Sequence, residues 1–271
     1  MTGTVRKTFA FPHRVLNGWV TLSYFYELGP LRDLFSQGTP VLMYHKIGKR
    51  PSGARMKGLY VSSQLFGEHL SQLRAASFRS ASVSDLKTPA APGSPRVVVT
   101  FDDGFTNVHE NALPLLSQHQ FQGMLYLVSN LIGKMNQWDL REGEVPEKLM
   151  EVSQIKEWMA QGNEIGSHSF SHARLTRLSL RDAREEIVTS KKQLEDTFQK
   201  PMHHFCYPYG DFNSSVRDLV IEAGYSTATT TQFGVNTGVE SPWELKRIMA
   251  RYKSRTLKNL KLGLNGFRLN S

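Results

Sequence analysis

The chain has 271 residues, with 33 Lys and Arg against 24 Asp and Glu, a net charge of +9 and a single cysteine. One cysteine excludes an internal disulfide framework, and no stretch is long and apolar enough to read as a membrane-spanning helix. The length suits one α/β domain with short extensions, since α/β barrels often reach this size with a core that needs no cross-links.

Residues 1–38 read as an N-terminal extension. Arg6, Lys7 and Arg14 precede the run Val15 to Leu28, which contains Trp19, Tyr24, Phe25 and Tyr26. Asn17, Gly18, Thr21 and Ser23 interrupt that run and no small-residue cleavage pattern follows, so it does not read as a signal peptide. The expectation is a cytoplasmic protein, or one peripheral to the inner membrane. Val41 to His45 is then an apolar strand ending on a histidine, and Ser63 to Ala76 places Leu65, Phe66, His69, Leu70 and Leu73 near one helical face. Lys87 to Pro95, with its prolines and glycine, is a loop ahead of the next strand rather than a domain linker.

That next strand, Val97-Val98-Val99-Thr100-Phe101, stops on Asp102-Asp103-Gly104. Neighbouring carboxylates repel and are costly to desolvate, so a strand end presenting both calls for a cation or a proton in transit. An Asp-Gly turn closing an ordinary strand would explain the octet taken alone. Gly123 to Ser129 reads as another strand. Residues 130–150, with Asn136, Trp138, Asp139 and the charged run Arg141 to Glu144, lack periodicity. A loop at that place could grip a sugar, Trp138 stacking on the ring and Asp139 bonding hydroxyls, or could be an ordinary surface loop with Trp138 folded inward.

Ser153 to Gln161 reads as a helix and Glu164 to Ser167 as a short strand leading to His168 and His172. If the segment turns helically, four-residue spacing puts both imidazoles on one side, which suits two nitrogen ligands of one divalent ion. Together with a strand-end carboxylate they would form a facial triad with open positions. Ser179 to Phe198 is a helix with Ser179 as its cap, followed by a strand over Phe205 to Tyr209 that runs into the turn Tyr207-Pro208-Tyr209-Gly210. That turn could aim the Tyr209 N–H at a developing oxyanion, or be a plain turn. Thr227 to Thr231 and Leu245 to Arg251 complete the strands, and the strand-helix alternation means α/β with a mostly parallel sheet.

Thr100-Phe101-Asp102-Asp103-Gly104, then His168-Ser169-x-x-His172, then Tyr207-Pro208-Tyr209-Gly210 resemble, in order and spacing, the first three motifs of the NodB-type polysaccharide deacetylases, carbohydrate esterase family 4. The resemblance covers roughly residues 38–252, so the chain divides into the extension 1–38, a deacetylase domain 39–252 and a tail 253–271. It implies an irregular (β/α) barrel of about seven strands and a divalent metal, usually zinc, held by Asp103, His168 and His172. It also implies Asp102 as the general base; beside it, the Tyr209 N–H is the candidate oxyanion donor, and Trp138, Asp139, Tyr207 and Pro208 are the candidate contacts to an N-acetylated carbohydrate. Two departures bear on mechanism. Cys206 stands where the family commonly has the arginine that orients the base, so that partner is missing or comes from elsewhere. No histidine follows His204 to supply the late general acid. His45 resembles the histidine of the subset with permuted motif order and becomes the expected acid, the alternative being a histidine that merely caps a core strand.

From Leu245 to Ser271 there are eight Lys or Arg, Arg247 among them, and no acid. Leu257, Leu260, Leu262, Leu264 and Phe267 interleave with them, which suits a basic amphipathic segment on an anionic membrane surface or a solvated basic helix. No nucleic-acid motif accompanies it.

Overall fold

In the computed structural model, which describes residues 35, 37–91, 94–140 and 143–250, seven parallel strands close on themselves into a barrel. The strands in chain order are β1 Thr39–Tyr44, β2 Lys46–Ile47, β3 Tyr60–Val61, β4 Arg79–Ser80, β5 Arg96–Phe101, β6 Gly123–Leu127, β7 Glu164–Ser167, β8 His204–Cys206, β9 Thr227–Phe233, β10 Val235–Asn236 and β11 Leu245–Met249. Around the barrel the order is β1, β11, β9, β8, β7, β6, β5, and the β1–β5 pairing closes it in register from Val41↔Val98 to Tyr44↔Phe101. β4 extends β5 at its first residues, β10 runs antiparallel to β1, and β2 pairs with β3 apart from the barrel. All seven expected strands are present; the stretch expected to continue as strand through Tyr209 stops at Cys206 and turns at Pro208.

Alternation sorts the strand side chains between two apolar clusters. Val41, Val98, Met124, Tyr126, Cys206 and Leu245 share the smaller cluster, joined by Ala81, Val83 and Leu86. Their neighbours Leu42, Val97, Val99, Leu125, Phe205 and Ile248 belong to the larger one, with the helices. Both faces are therefore buried, which is why these strands read as unbroken apolar runs.

The helices are α1 Ser63–Ala75, α2 Thr106–His119, α3 Val152–Ala160, α4 Leu180–Phe198 and α5 Ser214–Glu222. Ser62 caps α1 and Ser179 caps α4, each side chain accepting from the backbone N–H three residues on. Sequence periodicity marks α1, α3 and α4 but passes over two others. α2 carries Pro114 in its interior, yet buries Val108, Ala112 and Leu116 at four-residue spacing. α5 is short and relies on the Asn213 side chain, which accepts from Val216 N at 2.9 Å.

Among the described residues no helix is long and apolar enough to cross a membrane. The run Val15 to Leu28, Arg141, Arg251 and the basic tail 253–271 lie outside the described residues.

Gly166, in β7 just ahead of the histidine pair, makes the tightest strand approach near the site. A Cβ there would meet the His204 carbonyl oxygen and two Tyr126 ring carbons, all at 2.8 Å. Because a backbone carbonyl cannot move aside, Gly166→Ala should destabilise the protein by about 1–3 kcal/mol, read as a lowered urea midpoint with unchanged slope.

Candidate metal and catalytic site

The site lies beyond the carboxyl ends of the barrel strands, and backbone bonds bring its parts together. Asp102 N donates to the Tyr44 carbonyl at 3.0 Å, which extends the β1–β5 pairing and puts His45 next to the acid pair. His168 N donates to the Leu127 carbonyl at 2.8 Å, setting the first histidine beside the end of β6. His45 Nε2 stands 3.8 Å from Asp102 Oδ2.

Asp103, His168 and His172 converge as their pattern predicts, although not on a helix. The segment after β7 is irregular, and Ser169 and His172 both adopt φ of +65°. The rings meet because the loop coils left-handed twice, with Ser169 Oγ accepting from His172 N at 3.0 Å. Asp103 is also left-handed, at φ +76°, as is Tyr209 at +59°. Of the seven non-glycine residues with positive φ among those described, these four are in the site, so strained backbone concentrates where the functional side chains must be aimed.

Asp103 Oδ1 lies 3.4 Å from His168 Nε2 and 3.2 Å from His172 Nε2. It is buried and has no hydrogen-bond partner. Donor spacings of this size match the edge of a tetrahedron whose legs are about 2.0–2.1 Å, the usual zinc-to-nitrogen and zinc-to-oxygen lengths. A buried carboxylate oxygen facing two imidazole nitrogens is a donor set that a divalent cation fits. His168 Nδ1 donates to the Cys206 carbonyl at 2.8 Å; that bond fixes the tautomer and leaves Nε2 as the free donor atom. Burial alone would raise the Asp103 carboxyl, but the two imidazoles hold it well below the ordinary carboxylate value. Burial lowers His172, which favours the neutral ring a metal needs.

Asp102 is held differently. Arg247, on β11, grips it in a bidentate pair, Nη1 to Oδ1 at 2.7 Å and Nη2 to Oδ2 at 2.8 Å. Its remaining N–H groups go to Thr230 O at 2.7 Å, Thr100 Oγ1 at 3.2 Å and Cys206 Sγ at 3.1 Å, so all five donors of the guanidinium are used. The partner of the base therefore comes from elsewhere in the chain, and the small thiol of Cys206 leaves the space that Arg247 fills. Sequence reasoning counted Arg247 with the basic tail; the correction is that it is a fully buried strand residue on the same face as Leu245. Burial raises Asp102, but Arg247 first and His45 second pull it below the ordinary value, which keeps it ionised. Burial lowers His45, opposed mainly by Asp102.

The other expected site residues divide. Trp138 stacks on His172, ring centroids 4.4 Å apart, and tilts against Phe105, so one of its faces is already occupied. Asp139 is buried beside the site, and its carboxyl is pushed up to about 6 by burial and then by the Asp103 charge. Tyr209 is more than a third exposed and packs its ring against His172 at 4.5 Å. Tyr207, expected to touch substrate, is a core residue: it is fully buried and donates its hydroxyl to the Trp243 carbonyl at 3.1 Å. Pro208 is buried too, leaving Tyr209 as the exposed member of the turn.

A family model described as polysaccharide deacetylase matches residues 90–228. The chain is 24% identical to YxkH of Bacillus subtilis over 213 residues, 77% of this chain and 70% of the relative. It is 22% identical over 156 residues to the poly-β-1,6-N-acetyl-D-glucosamine N-deacetylase of Staphylococcus aureus, covering 56% of this chain and about half (53%) of that protein. The solved structure of IcaB from Ammonifex degensii superposes with a TM-score of 0.71 at 21% identity, over 83% of this chain and 96% of that one, which shows a shared fold.

Removing Arg247 would leave a buried carboxylate facing an apolar barrel interior. Arg247→Met should cost about 3–5 kcal/mol of stability in urea unfolding, and adding Asp102→Asn should recover part of that loss because the stranded charge is gone.

Proposed function

The chain belongs to the polysaccharide deacetylase family, and from that premise we propose that it hydrolyses N-acetyl groups on an amino-sugar polymer or a lipid-linked amino sugar. The observation that carries this reading is the division of labour between adjacent acids. Asp103 faces His168 and His172 with a bare oxygen, whereas Asp102 is locked to Arg247 and kept out of that set. A divalent ion held by Asp103, His168 and His172, zinc by the nature of its donors, would make a water acidic enough to attack at neutral pH and would polarise the acetyl carbonyl.

The chain's own groups then move the protons. Asp102, ionised and aimed by Arg247, accepts the proton of the attacking water. His45, 3.8 Å from Asp102, is placed to protonate the leaving amine. The Tyr209 backbone N–H is the proposed donor to the oxyanion. Asp139 and the open side of Trp138 hold the sugar. Cys206 in place of arginine and the lack of a late histidine would suit a catalytically weak carbohydrate-binding relative; Arg247 supplies a guanidinium to Asp102 from β11 and answers the first of these.

The test is acetate release by the zinc-loaded protein from N-acetylglucosamine oligomers, a lipid-linked N-acetyl sugar and small non-sugar amides. Release from the sugars is the expected result; release from small amides alone, or from nothing, overturns the proposal. His45→Ala should lower turnover by about 100-fold or more while bound zinc stays near one equivalent. Trp138→Ala should raise KM roughly three- to tenfold, the worth of an aromatic contact.

A further inference from the structure

The rim of the site ends in a cation that the proposed reaction does not use. Arg174 is exposed, and its guanidinium carbon lies 3.8 Å from the centroid of the Tyr209 ring. Tyr209 in turn packs edge-on against His172 at 4.5 Å. The charge is therefore held one ring away from the proposed metal ligand.

The placement is built into the backbone. Thr176 donates to Asp211 Oδ2 at 2.7 Å, tying the Arg174 loop to the turn that carries Tyr209. On the other side Glu186 takes Ser171 N at 2.9 Å and Ser171 Oγ at 2.5 Å. Asp211 and Glu186 are thus engaged, and Arg174 has no carboxylate partner among the described residues. A guanidinium stacked on an aromatic ring keeps its in-plane N–H groups for a carboxylate or phosphate, which it can meet in a bidentate pair.

Resting on the deacetylase reading, we propose that Arg174, laid on Tyr209, is a subsite for an anionic group of the sugar substrate. The group is a carboxylate on a neighbouring sugar or a phosphate on the acetylated one. The substrate class narrows accordingly, from neutral N-acetyl glycans to anionic ones.

The experiment compares kcat/KM of the zinc-loaded full chain for three probes: neutral N-acetylglucosamine trimer, an N-acetylglucosamine–glucuronic acid disaccharide, and N-acetylglucosamine 1-phosphate. At least one anionic probe should exceed the trimer by about tenfold, and which one does so identifies the group. Arg174→Gln should bring the anionic-to-neutral ratio near one, and Arg174→Lys should keep part of the preference at low salt. A wild-type ratio of one, or a preference that survives Arg174→Gln, overturns the subsite. If no probe releases acetate, the deacetylase reading fails instead. Calorimetric binding of N-acetylglucosamine 1-phosphate against N-acetylglucosamine, in wild type and Arg174→Gln, then decides the subsite by itself: a phosphate preference lost in the variant supports it, and equal binding rejects it.

Discussion

The pair between Asp102 and Arg247 is the constraint around which the barrel interior is organised. A carboxylate buried this deeply is tolerable only with a fully satisfied partner, and Arg247 spends each of its five N–H groups on Asp102, Thr100, Thr230 and Cys206. Those contacts touch β5, β8 and β9 from β11, so the ion pair can form only when the barrel is closed. The same contacts explain a thiol at position 206: a larger side chain would take the space of the guanidinium.

Around that fixed pair the rest of the site is built from strained loops. The four left-handed residues Asp103, Ser169, His172 and Tyr209 aim their side chains away from regular geometry, and regular strands behind them supply the rigidity. Trp138, His172, Tyr209 and Arg174 then form a continuous series of ring and guanidinium contacts across the mouth. Through it, the proposed metal ligand His172 and the surfaces proposed to meet a sugar are positioned by the same packing.

Much of this was legible in the sequence, and the reasons are specific. Apolar runs such as Val97 to Phe101 exist because parallel barrel strands are buried on both faces, so the seven barrel strands were readable, whereas the two-residue strands β2, β3, β4 and β10 are too short to show a pattern. Asp102, Asp103, His168 and His172 were readable because their residue types and spacing suit one ion. A helical turn would have aligned the histidines; the segment instead uses left-handed turns, which in non-glycine residues leave no compositional trace. Thr106–His119 escaped notice because Pro114 masks its four-residue spacing. Tyr207 was misread because a motif marks a turn without saying which of its side chains faces outward. Arg247 was hidden by its company: a cation among seven others reads as surface charge, and only the alternation with Leu245 hinted that it points inward.

The pairing of β1 with both β5 and β11 has a consequence in time as well as in space. A chain emerging from the ribosome presents His45, both acids and both histidines long before Leu245–Met249 appears. Until that last strand inserts, Asp102 lacks the Arg247 fork that aims it, so the proposed base is not yet positioned although nearly all of the proposed site has been made. The arrangement on which the proposed chemistry depends is therefore completed by barrel closure itself, with the arrival of a strand that carries none of the acids or histidines.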